Sequence, residues 1–360
     1  MHTTQLPSSP TCLHQTWSAE SLLPDAWRDE ASTVPWFIFN PTLAWLGSRY
    51  IMLYRVVQGR NLRIAACHLD EQLQIIHGSV TPFSDSLHST RDVIGDPRLF
   101  FFAGRLFASY THYPLPSTIY IVELDPWERW PTAAERPLLL DVRQLKERNW
   151  TIFQYHSTLY ALYSIVPHAV LELDLSDPLE VRCQRVHCVT WDANHVTNSH
   201  GSLRGGAAPV QLGETYNVFF HGTRIGVPGI GWLRKAISLL RSSLHANRVT
   251  AAFFTDLHAR LAARTYIGGF YRFAAQPPFA PIDYLAKPVL THRQEAAPGS
   301  GTGRLMPKHW QVIFPGGAVF TSDQRWVVSY GLHNESCCAR VLEHTLLIQA
   351  CTPARIANTG

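Results

Sequence analysis

The sequence has no cysteine pair at metal-ligand spacing. Its seven cysteines, Cys12, Cys67, Cys183, Cys188, Cys337, Cys338 and Cys351, form no C-x-x-C, so no metal is expected. Their number is odd, and the adjacent Cys337 and Cys338 read as buried thiols rather than a redox centre. The chain does not open with a basic stretch followed by an apolar core, and no apolar run is long enough for a bilayer. These absences point to a cytoplasmic protein with reduced thiols and no membrane insertion. There is no long Lys/Arg run and the net charge is a mild +4, so nucleic acid is not an expected partner. No G-x-x-x-x-G-K-[ST] phosphate loop occurs. The stretch 293–308, RQEAAPGSGTGRLMPK, reads as a mobile Gly/Pro/Ser-rich loop.

What is present is a repeat. A sixteen-residue pattern occurs five times, at Asn40 to Arg55, Asp96 to Thr111, Asn149 to Ser164, Gly206 to His221 and Gly316 to Gly331. Each copy has a turn-forming or polar pair near its middle: Gly47-Ser48, Ala103-Gly104, His156-Ser157, Gly213-Glu214, Ser322-Asp323. Each closes on Tyr54, Tyr110, Tyr163, Phe220 or Tyr330 plus one residue. That is a β-hairpin pattern. The copies start 56, 53, 57 and 110 residues apart. Such near-regular spacing predicts an all-β, five-bladed β-propeller with the hairpins innermost. Ile119 to Leu124 and Ala169 to Leu173 alternate with period two and supply third strands. The chain has 360 residues and 46% hydrophobic content, ample for one large core. The expected organisation is an N-terminal arm over 1–33 and one propeller domain over 34–360. The eleven tryptophans and thirteen tyrosines suit a propeller core and also suit sugar sites.

A helical insertion is expected at about 226–264, between the fourth and fifth blades. Leu233, Ile237, Leu240 and Leu244 fall at helical spacing, as do Phe254, Leu257 and Leu261. The segment reads as an amphipathic pair packed on the flank, or as a lid, an oligomer contact or a membrane-surface helix.

The first and last residues of a hairpin lie side by side at its open end. Five inner hairpins would therefore gather Asn40 and Arg55, Asp96 and Thr111, Asn149 and Ser164, Gly206 and His221, and Gly316 and Gly331 at one mouth. Arg98, Arg148, Arg204, His333 and Asn334 lie nearby in sequence. One acid among cations and hydroxyls suits a polar anionic or sugar-like ligand; the alternative is a set of solvated strand ends.

Several motifs resemble those of glycoside hydrolase family 130. Asn40-Pro41 with Tyr54-Arg55, and Gly95-Asp96-Pro97-Arg98, are similar to its NP…YR and EDPR motifs. Arg148-Asn149, Phe220-His221-Gly222, Phe314 to Gly317, and Tyr330 to Asn334 resemble further motifs in the right order, over nearly the whole chain from 36 to about 350. Mannosyltransferase/phosphorylases of β-1,2-mannose chains look nearest. The resemblance implies an inverting, mannose-transferring enzyme with Asp96 as general acid or base, relaying its proton through a sugar hydroxyl. It implies no cofactor, only phosphate or a sugar phosphate as co-substrate, and a mannose oligosaccharide as partner. A homo-oligomer is compatible with it. Sugar-binding candidates are Asn40, Arg55, Arg98, Asn149, Tyr271, His333 and Asn334. Phosphate-binding candidates are Arg148, His168, Arg204 and His221. The chain departs from the family at Asn334, where Asp is common, at Arg148 in place of Lys, and in having no arginine from Thr111 to Asp125. The alternatives are a β-mannosidase using water and a non-catalytic sugar-binding propeller.

Overall fold

A computed structural model describes residues 6–28, 33–88, 92–127, 131–142, 144–225, 264–292 and 311–357. The fold is all-β, with only short helices among the described residues. The first sheet is Trp36–Trp45, Tyr50–Gln58 and Asn61–Leu69, all antiparallel. The second is Ile94–Phe102, Arg105–His112, Thr118–Leu124 and Arg136–Leu140. Thr151–Tyr155, Thr158–Ser164, His168–Asp174 and Val181–Val189 follow as the third set. Its last strand pairs in parallel with Arg136–Leu140, so these two sets form one eight-stranded sheet.

The fourth hairpin opens on a broken strand. Ser202–Arg204 and Val210–Leu212 both pair with Thr215–Ile225, which pairs in turn with Arg264–Ala274 and then Pro281–Leu285. The final sheet is Ile313–Phe320, Arg325–Leu332 and Ser336–Glu343. Within the stretch expected as an N-terminal arm, His14–Trp17 adds the outermost strand of that sheet.

All five predicted hairpins form. Three turn through two residues, at Ala103-Gly104, His156-Ser157 and Gly213-Glu214. Ala103, Gly104, His156 and Gly213 have positive φ there, as tight hairpins require.

The insertion is placed differently from the expectation. Thr215–Ile225 and Arg264–Ala274 pair residue for residue, from Thr215 opposite Ala274 to Ile225 opposite Arg264. The intervening segment therefore interrupts the fourth sheet rather than joining the fourth to the fifth. Arg264 is a strand residue, not a helix end. The rest of the helical insertion expected at about 226–264, and the whole of the loop expected at 293–308, lie outside the described residues.

Strand alternation explains where the core sits. Along Tyr50–Gln58, Tyr50, Met52, Tyr54 and Val56 enter a cluster shared with Val319, Val327 and Cys337 of the last sheet. Ile51 and Leu53 enter a second cluster with Leu99, Leu106 and Tyr110 of the second sheet. Successive side chains point to opposite faces, so one strand serves two cores and is buried on both sides. Further clusters lie between the second and third sets, the third and fourth, and the fourth and fifth. Each fully buried Leu or Phe contributes about 1.5–3 kcal/mol. Leu53→Ala would open a cavity and cost about 2–5 kcal/mol.

The inner strands converge. Leu43, Leu99, Ile152, Ala208 and Ala318, one from each of the five hairpins, line a single apolar cavity of about 350 Å3. At the other end of these strands the backbones touch. A Cβ on Gly316 would sit 2.2 Å from the Pro41 carbonyl oxygen, so only glycine allows the fifth sheet to meet the first there. Among the described residues, no helix is long and apolar enough to cross a membrane.

Candidate active site

The first three hairpins open in the same way. Asn40, Asp96 and Asn149 occupy the same position in their repeats and have φ of 55°, 54° and 60°. Asn and Asp tolerate this left-handed conformation better than other residues with a side chain. In the first two sheets it coincides with a bulge, where Asn40-Pro41 and Asp96-Pro97 break the ladder between Phe39 and Thr42 and between Gly95 and Arg98. A bulge re-aims the side chain it carries, and here Asn40 and Asp96 meet. Asn40 Nδ2 donates to Asp96 Oδ1 at 2.8 Å.

Two more donors converge on that carboxylate. Arg55 NH1 lies 3.5 Å from Asp96 Oδ1. The Tyr113 hydroxyl donates to Asp96 Oδ2 at 2.5 Å. Arg55 NH1 also donates to the Tyr113 oxygen at 3.2 Å. Gly95 makes room for this, because a Cβ there would come within 2.9 Å of Arg55 Cδ. Arg148 joins the group through Tyr113, its guanidinium 5.3 Å from the ring centroid, while that of Arg55 lies 4.9 Å away. The Nε atoms of Arg55 and Arg148 are buried with no hydrogen-bond partner among the described residues.

Burial pushes the Asp96 carboxyl up, but Arg55, Arg98, Tyr113 and Asn40 together outweigh it and hold the pKa below the ordinary carboxylate value. Asp96 is therefore ionised at neutral pH. Tyr113 moves the other way: burial, reinforced by Asp96, raises its pKa, so the phenol keeps its proton. The group holds one carboxylate beside the guanidiniums of Arg55, Arg98 and Arg148. Such a recess suits hydroxyl-rich and anionic ligands.

Arg98, expected to hold sugar, is occupied by the protein. Its Nε donates to the Gly206 carbonyl at 2.7 Å and its NH1 to the Asp96 carbonyl at 3.0 Å. Its NH2 donates to Asn149 Oδ1 at 3.3 Å and to the Gly205 carbonyl at 3.5 Å. Only 3% of its surface is exposed. It ties the openings of the second, third and fourth hairpins together.

His168 and His221 were expected as cations. Both are buried, and desolvation lowers each to about 3, so they are neutral at neutral pH. His221 still lies beside the site, where Arg98 and Arg204 depress it further, and its ring centroid is 4.5 Å from that of Phe314. His168 heads the third strand of its sheet, and its Nε2 is 3.2 Å from the Tyr271 hydroxyl. Tyr271 belongs to the apolar cluster between the third and fourth sets. These two form a buried pair, and no contact described here links them to Asp96. Arg204 pairs opposite His221 in the sheet and is exposed. His333 and Asn334 form a left-handed turn after Arg325–Leu332, and His333 Nδ1 accepts from the Val312 amide at 3.4 Å. Tyr113 is the residue that sequence reading missed. The available signal was parity: it lies two residues beyond Thr111, which was already placed at the mouth.

Several solved structures share this fold. One, from the glycoside hydrolase family 130 of mannoside phosphorylases that contains hydrolases targeting β-1,2-mannosidic linkages in Candida mannan, has a TM-score of 0.56 at 13% identity, covering 99% of this chain and 95% of that one. The β-1,2-mannobiose phosphorylase of Listeria innocua, complexed with β-1,2-mannobiose, has a TM-score of 0.55 at 11% identity, over 94% and 99%. A GDP-Man-dependent mannosyltransferase from Leishmania mexicana gives 0.51 at 11%, over 86% of each chain. What this chain shares with them is the fold. No family model matches the sequence, and no curated protein does.

Proposed function

We propose that this chain is a five-bladed β-propeller enzyme that transfers mannose, with inversion, between a β-mannoside and phosphate or a sugar phosphate. The observation that carries this reading is the Asp96 carboxylate, presented by a bulge at the convergence of the inner hairpins and ringed by donors and guanidiniums. The five clusters that join successive sheets, the last back to the first, support the propeller. The fold shared with mannoside phosphorylases and a mannosyltransferase supports the substrate class.

In this reading Asp96 is the general acid in breakdown and the general base in synthesis. Asn40, Arg55, Asn149, His333 and Asn334 hold mannose hydroxyls. Arg148 and Arg204 hold phosphoryl oxygens through charge-assisted bonds, with His221 as a neutral donor. Phosphate attacks the anomeric carbon on the face opposite the departing oxygen, through an oxocarbenium-like transition state. The linkage acted on is β-1,2. Incubation of β-1,2-mannobiose with and without phosphate tests this: mannose 1-phosphate should form only with phosphate. Free mannose as the sole product, independent of phosphate, identifies a hydrolase. Binding without turnover identifies a sugar-binding module.

A further inference from the structure

Tyr113 brings to the Asp96 group a hydroxyl that can both give and take a proton. Its oxygen donates to Asp96 Oδ2 at 2.5 Å and accepts from Arg55 NH1 at 3.2 Å. A phenolic oxygen has one proton and two acceptor positions. With the proton on Asp96 and one position taken by Arg55, one acceptor position remains. The other carboxylate oxygen is engaged by Asn40 and Arg55. Tyr113 as a residue is only partly buried. The guanidiniums of Arg55 and Arg148, 4.9 and 5.3 Å from the ring centroid, favour any negative charge that grows on the phenolic oxygen.

We propose that Tyr113 relays the proton between Asp96 and the reacting oxygen of the substrate, so that the relay is a protein hydroxyl rather than a hydroxyl of the sugar. The proposal rests on the mannose-transfer reading above. In synthesis the acceptor hydroxyl oxygen bonds the anomeric carbon while the bond from that carbon to the phosphate oxygen breaks, its electron pair leaving with phosphate. The acceptor's proton passes to the Tyr113 oxygen as Tyr113's own proton passes to Asp96 Oδ2. In breakdown the protons move the other way. Asp96, ionised at rest, first takes a proton from solvent and passes it to the phenol as the phenol protonates the departing glycosidic oxygen and a phosphate oxygen bonds the anomeric carbon; the proton of hydrogen phosphate returns to solvent. Tyr113 is unchanged after either turnover. Burial supports this role, since it holds the phenol protonated between turnovers.

Tyr113→Phe keeps the ring between Arg55 and Arg148 and removes only the hydroxyl. Two substrates separate a relay from a structural part. β-1,2-Mannobiose leaves as a sugar alkoxide and needs a proton. 4-Nitrophenyl β-mannoside leaves as a stable phenolate and does not. With phosphate present, the variant is expected to lose at least ~10²-fold in kcat on mannobiose and less than ~10-fold on the nitrophenyl mannoside, while remaining folded at the assay temperature by circular dichroism. Equal losses on both substrates, or no loss on mannobiose, overturn the relay while leaving mannose transfer in place. A wild-type protein inactive on both substrates overturns mannose transfer itself, and the relay with it.

Discussion

Arg98→Lys tests whether the openings of the second, third and fourth hairpins are held by one side chain. The guanidinium makes four hydrogen bonds to three segments: to the Asp96 and Gly205 carbonyls, the Gly206 carbonyl and Asn149 Oδ1. It is 3% exposed, so water cannot replace lost partners. Hydrogen bonds to a charged group contribute about 1.5–3 kcal/mol each, and a buried acceptor left unpaired costs about 1–3 kcal/mol. An ammonium is a point donor without the planar fork, and from one place it reaches about two of the four acceptors. The loss of two bonds comes to roughly 3–6 kcal/mol, a large share of the ~5–15 kcal/mol typical of a folded domain. Urea unfolding should show the midpoint falling by on the order of 1 M, taking a slope near the top of the usual ~1–3 kcal/mol/M range. A loss below about 1 kcal/mol with an unchanged slope would refute the reasoning. Arg98 would then be free for substrate, as its place in the sequence first suggested.

Asp96→Asn should abolish turnover, by at least ~10²-fold, and leave the protein folded, as circular dichroism would show; activity above a tenth of wild type contradicts the acid–base role. The same variant has a pH signature. Because the folded pKa of Asp96 is lowered, its contribution to stability is complete above the ordinary carboxylate value near ~3.9 and is lost as pH falls toward the folded value. Acid unfolding of Asp96→Asn should therefore be shallower below that point, and an identical acid limb speaks against the ion-pair geometry. His168, His200 and His221 are depressed to about 3, 4 and 3. Stability should be full above pH ~6.5 and fall toward pH 4, as the unfolded chain alone takes up protons, by at most on the order of 4 kcal/mol per pH unit for the three. Urea midpoints that match at pH 7 and pH 5 would rule this out. Arg148→Ala should weaken phosphate or mannose 1-phosphate binding by ~1.5–3 kcal/mol and neutral mannose less; calorimetry showing wild-type phosphate affinity moves the anion site elsewhere.

The hairpins were legible because a repeat averages over local ambiguity. Five copies of a short alternating run with a turn pair at the middle leave little freedom of register. The meeting of Asn40 and Asp96 was legible only as a shared position, since the bulges and positive φ that turn them toward each other depend on neighbouring strands. His168 and Tyr271 misled for a related reason. Both stand near strand ends, but side-chain parity and the packing of adjacent sheets place them in an aromatic cluster. Arg98 carried the right charge in the right place, and nothing in sequence shows that carbonyls from the fourth hairpin consume it. The insertion was misplaced because its last residue opens a strand whose partner lies on the far side of the inserted segment.

The strand His14–Trp17 pairs with Ser336–Glu343, so that His14 stands opposite Arg340, and the His14 ring reaches the Tyr330 hydroxyl at 3.0 Å. On the ribosome this strand emerges long before its partner, and it must wait, unpaired, while the intervening sheets are made. Closing so long a loop is entropically slow to reward. Once made, and until the two strands meet, the edge of Ser336–Glu343 can accept a strand from another molecule as readily as its own. Crowded refolding chains of this protein should therefore exchange this strand, and a fused peptide copying residues 14–17 should compete for the vacant edge during refolding and have no effect once the strand has docked.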